Sequence, residues 1–159
     1  MDFGFIQAST SDYSKPNPKR DRVVKSFDGY SSYLLIVDEA LRYVWVFLCQ
    51  SKEPPIDYAS AFLKTHGLDS GGVIRCDQGG ELARSSEFRR AMYNRHRYLV
   101  EPTGADSPSQ NGGAERVNGT LAVIIRTLLY GSSLDATFWS AALLHAVYLY
   151  NRRVHSALV

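Results

Sequence analysis

Apolar positions along this chain recur with two different periods, and the switches between them divide the sequence into strands and helices. Met1 to Gln7 is short, apolar and aromatic, as a strand would be. Ser32 to Asp38 and Tyr43 to Leu48 are further strand-like runs. The polar break at Asp38, Glu39, Ala40 and Arg42 between them predicts a hairpin, so the first three strands should be antiparallel. From Ser9 to Gly29 the sequence turns polar, with Pro16, Pro18 and a cluster of charges, which predicts a mobile loop or a long hairpin. Pro54 and Pro55 open a predicted helix that runs to about His66, with Tyr58, Ala59, Phe62 and Leu63 as its apolar stripe. Val73 to Cys76 suits a short buried strand with Asp77 at its C-terminal end. Ser86 to Arg95 predicts a helix, and Tyr98 to Val100 a fifth strand closed by Pro102. A Gly-, Ser- and Pro-rich loop is expected from Thr103 to Gly113. After it, Val117, Leu121, Ile124, Ile125 and Leu128 mark one face of a helix that begins near Ala114 and stops at Gly131. A last long helix is expected from Asp135 to Arg152. The order β-β-β-α-β-α-β-α-α is that of an α/β domain.

Composition narrows the class. With 159 residues, 45% hydrophobic and 21% charged, the chain suits one globular domain with a packed, aromatic core. No apolar run reaches the roughly 18 residues of a membrane span, and no secretory leader pattern opens the sequence, so an intracellular chain without membrane contact is expected. Cys49 and Cys76 sit singly in apolar runs and read as buried thiols, not as disulfide or zinc partners. The four histidines are scattered without metal-ligand spacing. A net charge of +2 neither requires nor excludes nucleic acid.

Three acids need more explanation than the rest. Asp2 lies in an apolar strand-like segment, Asp77 ends a buried strand, and Glu115 falls in the first turn of a helix after a glycine pair. Charges beside a core are costly unless paired or metal-bound, so these three could converge on a metal. Oxygen ligands without histidine suit Mg²⁺, and two such ions suit in-line displacement at a phosphodiester. Spacing alone, however, favours three unconnected acids.

The strings around them decide more. MDFGF, YLLIVDEALRYVWVFL, VIRCDQGGEL, PSQNGGAERVNGTL and FWSAALLHAVYLYNR occur in this order along nearly the whole chain. They resemble, in the same order, the motifs of the integrase catalytic core of copia-type retrotransposons, including its "DDYSR..W", "RSDNGGEF", "PQQNGVAERKNRTL" and "FWAEAV..A.YL.NR" stretches. The departures are Phe5, where relatives often carry Pro after Gly, and Gly119, where they often carry a basic residue.

The resemblance implies a ribonuclease-H-like fold, with a mixed five-stranded sheet flanked by helices, over a single catalytic core domain spanning residues 1–159. The family's flanking zinc-binding and C-terminal basic domains are not in this sequence. It implies a polynucleotidyl transferase that joins element DNA 3′ ends to target DNA, with possible endonuclease activity. Asp2, Asp77 and Glu115 would be its catalytic carboxylates and would hold Mg²⁺ or Mn²⁺, as two ions. Gln110, Asn111, Gly112 and Gly113, as a loop before the helix, would contact DNA together with Arg116 and Asn118. Asn118 is alternatively an exposed helix asparagine, and Asp38 reads as a turn former. Arg75, Arg84, Arg89, Arg90, Arg95 and Arg97 are further basic residues near these elements. Double-stranded DNA, a homodimer or larger homo-oligomer, and residence in a cytoplasmic particle and the nucleus are implied as well. Two other readings use the same residues: an inactive fold kept for nucleic-acid binding or dimerisation, and a ribonuclease-H-like nuclease.

Overall fold

The computed structural model describes residues 1–4, 7–8, 22–51, 53–77, 81–103 and 108–153, with the backbone alone at 2–4, 7–8, 22, 103 and 108–112. Its strands are β1 (Asp2–Gly4), β2 (Gln7–Ala8), β3 (Arg22–Val23), β4 (Ser32–Val37), β5 (Val44–Cys49), β6 (Gly72–Asp77) and β7 (Tyr98–Thr103). Its helices are α1 (Ile56–His66), α2 (Glu81–Arg84), α3 (Ser86–His96), α4 (Pro108–Gly131) and α5 (Trp139–Tyr150), the last preceded by a 3₁₀ turn at Ala136–Phe138.

As the pattern predicts, β1, β4 and β5 pair antiparallel, with Asp2 level with Leu35 and Ile36 level with Trp45. β6 and β7 pair parallel, with Asp77 level with Thr103. Where a single mixed sheet of five strands is expected, these strands form a three-stranded sheet and a separate parallel pair. Between them the Met1 nitrogen donates to the Arg75 carbonyl oxygen at 2.6 Å. β2 and β3 form a separate antiparallel ribbon, the long-hairpin alternative for the polar segment.

The continuous apolar run of β4 follows from its position between two helical layers. Tyr33 and Leu35 enter one core with Val117, Leu121 and Ile125 of α4 and Trp139, Leu143 and Ala146 of α5. Leu34 and Ile36 enter a second core with Ala59 and Leu63 of α1, Phe88 and Met92 of α3, and Ile74 and Cys76 of β6. Successive strand residues point to opposite faces, so one strand supplies both cores. Both cysteines are buried free thiols in the second core, in line with the sequence reading.

Several boundaries differ from expectation for identifiable reasons. The loop assigned to residues 103–113 is largely regular: β7 runs to Thr103 and α4 begins at Pro108. Gln110, Asn111, Gly112 and Gly113 therefore lie in a helix, not a loop. Proline suits a first helical position, and two helical glycines cost about 1 kcal/mol each, which the buried stripe beyond them offsets. Pro102 does not close β7. Gly72 donates to the Arg97 carbonyl, which puts alternate residues from Arg97 onto the ladder with β6 and leaves proline's missing N–H on the other edge. The final helix starts at Trp139 instead of Asp135, because Asp135 Oδ1 accepts from the Thr137 amide at 2.9 Å and caps the 3₁₀ turn. The short helix α2 carries no periodicity that a four-residue element could display.

Polar anchors fix the layers. Asn151, just past α5, donates to the Val44 carbonyl at 2.8 Å and accepts from the Val44 amide at 2.9 Å, tying that helix to β5. Residues 24–29, the end of the segment read as a mobile loop or a long hairpin, are fastened to the start of α5. Trp139 Nε1 donates to the Val24 carbonyl, and Ser140 Oγ to Asp28 Oδ1, each at 2.8 Å.

Candidate functional site

β6 alternates buried and exposed residues, and the alternation sorts its chemistry. Ile74 and Cys76 face the second core, whereas Arg75 and Asp77 are exposed. Asp77 thus ends the strand with its carboxylate in reach of solvent, while the neighbouring thiol is turned away. Burial pushes the Cys49 thiol up, and Cys76 is buried in the same core, so neither cysteine offers a soft ligand at this strand end.

Asp2 occupies the neighbouring backbone segment. The Met1–Arg75 hydrogen bond sets the start of β1 beside β6, two residues before Asp77. The Asp2 side chain lies outside the described residues. Glu115 comes from α4, where it is exposed. One turn on, Asn118 is half-buried, and its Oδ1 accepts from the Tyr33 hydroxyl at 3.1 Å. Tyr33 is level with Gly4 of β1 and packs against Trp139, with ring centroids 6.1 Å apart. Asn118 is therefore an anchor of the Glu115-bearing helix onto the sheet, not a freely exposed asparagine. Arg116 is exposed; Gly113 is half-buried, and of Gln110, Asn111 and Gly112 the structure gives the helical backbone alone.

Other assignments resolve locally. Asp38 Oδ1 accepts from the amides of Ala40 at 2.8 Å and Leu41 at 2.7 Å, the turn role expected of it. Arg75 pairs with Glu39 at 3.2 Å on the surface. Arg84, Arg89, Arg90, Arg95 and Arg97 are exposed. Gly79 and Gly80, which separate Asp77 from α2, lie outside the described residues. Arg42, in the sequence only a member of the polar break, has a left-handed backbone with φ 57°; only its place in a short hairpin could have signalled that.

Among the described residues no three His, Cys, Asp or Glu side chains gather in the manner of a metal site. The donor chemistry nevertheless suits a hard cation. One accessible carboxylate ends β6 beside the segment that carries Asp2, a second stands exposed on α4, and both thiols are turned into the second core. A cavity of about 530 Å³ is lined by the rings of Trp45, Phe62, His66 and Tyr98 and by Asp38, Glu39 and Arg75, whose guanidinium is paired with Glu39.

No protein-family model matches the chain. It is similar to the retrovirus-related Pol polyprotein from transposon TNT 1-94 of Nicotiana tabacum, with 32% identity over 135 residues, 81% of this chain and 10% of that protein. The Pol polyproteins from transposons RE1 and RE2 of Arabidopsis thaliana are each 28% identical over 132 residues, 81% of this chain and 9% of theirs. The chain therefore spans about a tenth of the length of these relatives. Among solved structures, a chain of the simian T-cell lymphotropic virus intasome in complex with PP2A regulatory subunit B56 gamma aligns with a TM-score of 0.60. The identity is 19%, and the alignment covers 83% of this chain and 47% of that one. This likeness speaks for a shared fold, the ribonuclease-H-like arrangement of sheet and helices.

Proposed function

From a chain that is homologous to a short stretch of the retrovirus-related Pol polyproteins of copia-type plant transposons, we propose an integrase core, a polynucleotidyl transferase that joins element DNA 3′ ends to target DNA. The observation that carries the proposal is the position of Asp77: exposed at the end of β6, two residues beyond the carbonyl that binds the start of β1. The collinear motifs around Asp77 and Glu115 support it.

In this reading Asp2, Asp77 and Glu115 hold Mg²⁺ or Mn²⁺. Bound divalent ions would supply charge neutralisation and Lewis acidity at a phosphodiester. The carboxylates contribute the hard oxygens that such ions prefer. Asn118 holds the Glu115 turn to the sheet through Tyr33, so that this carboxylate is presented from a fixed helix. Arg116, with the helical segment from Gln110 to Gly113, contacts DNA phosphates and positions the duplex without reading its sequence. The substrate would be double-stranded DNA, both element ends and target, handled by a homodimer or larger assembly in a cytoplasmic particle and the nucleus.

The test is a disintegration assay with purified protein in Mg²⁺ or Mn²⁺. Wild type should resolve a branched DNA substrate, and Asp77→Asn or Glu115→Gln should reduce the rate to background while melting temperature stays close to wild type. Equal rates in wild type and both variants, or no metal-dependent rate at all, would reject the proposal.

A further inference from the structure

The hairpin between β4 and β5 is closed by hydrogen bonds that leave Arg42 little freedom. Its amide donates to the Asp38 carbonyl at 2.9 Å, and the Asp38 amide donates to the Tyr43 carbonyl at 2.9 Å. The Asp38 carboxylate binds the two amides between them. Arg42 adopts φ 57° in this turn, a left-handed conformation that glycine or asparagine takes at lower cost. A long charged side chain at a position where it costs the turn stability directs attention to what that side chain reaches.

It reaches α4. A side-chain carbon built at Gly113 would stand 3.7 Å from Arg42 Nη1, so the guanidinium lies along this part of the helix. Among the described residues it meets no carboxylate and donates no hydrogen bond, although Arg42 is half-buried. Arg75, by contrast, pairs with Glu39, Arg126 Nε donates to the Ala122 carbonyl, and Arg152 stacks on Tyr148. Gly113 and Arg116 are three residues apart and share one flank of the helix. Glu115, two residues from Gly113, points roughly 200° away around the axis, which leaves the guanidinium uncommitted to it.

We propose that Arg42 binds a DNA backbone phosphate alongside α4, on the flank that also carries Arg116. The proposal rests on the strand-transfer reading and extends its DNA interface to the β4–β5 hairpin. A guanidinium fork suits the planar, bidentate recognition of phosphate oxygens, and a hairpin-held arginine loses less freedom on binding than one on an open surface. The contact would position the duplex relative to the Glu115 helix without reading bases.

Fluorescence anisotropy with a labelled DNA duplex, in EDTA and across a salt series, tests this on the full chain. The informative variant is Arg42→Gly, because glycine accepts the left-handed backbone and should keep the melting temperature at or above wild type. It should weaken duplex binding about tenfold and reduce the slope of log affinity against log salt by about 0.9. Arg42→Lys should fall between it and wild type, and Arg126→Ala, which removes an arginine elsewhere on α4, should leave both quantities near wild type. Wild-type affinity and slope in Arg42→Gly would overturn the phosphate contact while leaving the strand-transfer reading intact. An equal loss in Arg126→Ala would also overturn it, by reducing the effect to net charge. Failure of wild type to bind duplex DNA would overturn both.

Discussion

Asp28 illustrates how a single side chain in a polar segment acquires a structural task. Its carboxylate sits below the usual carboxylate range, chiefly through the Ser26 hydroxyl and also through Ser140 at the start of α5; partial desolvation opposes them. A carboxylate with a depressed folded-state pKa adds stability above its unfolded value, and that stability is lost as pH falls through the folded value. Wild type should therefore lose melting temperature below about pH 4 more steeply than Asp28→Asn. Parallel pH profiles for the two proteins would show that Asp28 contributes nothing through its charge. Asp38 and Asn118 are similar cases, with residue types readable in advance and partners that were not. Aspartate in a hairpin break announced a turn, and the turn is there. Nothing around Asn118 announced Tyr33, which is 85 residues away in sequence.

At the scale of elements, close approach decides where glycine is needed. Gly71 enters β6 with φ 82°, and a side-chain carbon there would collide with the Arg97 carbonyl oxygen. The turn before β6 therefore packs directly onto the turn before β7. Gly71→Ala should cost about 1–3 kcal/mol, by left-handed strain together with displacement of Arg97. Gly119→Ala, on an open helix surface, should be neutral or mildly stabilising. Urea denaturation of both variants checks the contrast, and equal stabilities would contradict it. Periodicity located β4, β5, β6, α1 and α3 to within a residue or two, because each has a burial pattern of its own. It misplaced the start of α4, whose first turns carry no apolar stripe. There the helix is read from backbone geometry, and the sequence offered only glycine, serine and proline, the composition of a loop.

For the whole molecule, the sheet divides two cores that share β4, so neither face can open without exposing the other's strand. The two cysteines probe that coupling, since Cys49 and Cys76 are 5% and 2% exposed in the same core. Both should resist alkylation under native conditions and react together, at a rate limited by opening of that core. Rapid labelling of one thiol at the rate of a free cysteine would show that the second core opens locally around it.

The sequence by itself determined the order of the longer elements, most of the faces they bury and the identity of the carboxylates worth testing. Those depend on residue type and short-range period, which the chain carries locally, and on motif strings that survive as contiguous text. Tertiary structure alone decided which distant segments meet. It set the start of β1 beside Arg75, two residues before Asp77, fastened Asn118 to Tyr33, and brought the Arg42 hairpin against Gly113. Such contacts arise from the packing of helices on a twisted sheet, a property of the assembled layers that no window of neighbouring residues records.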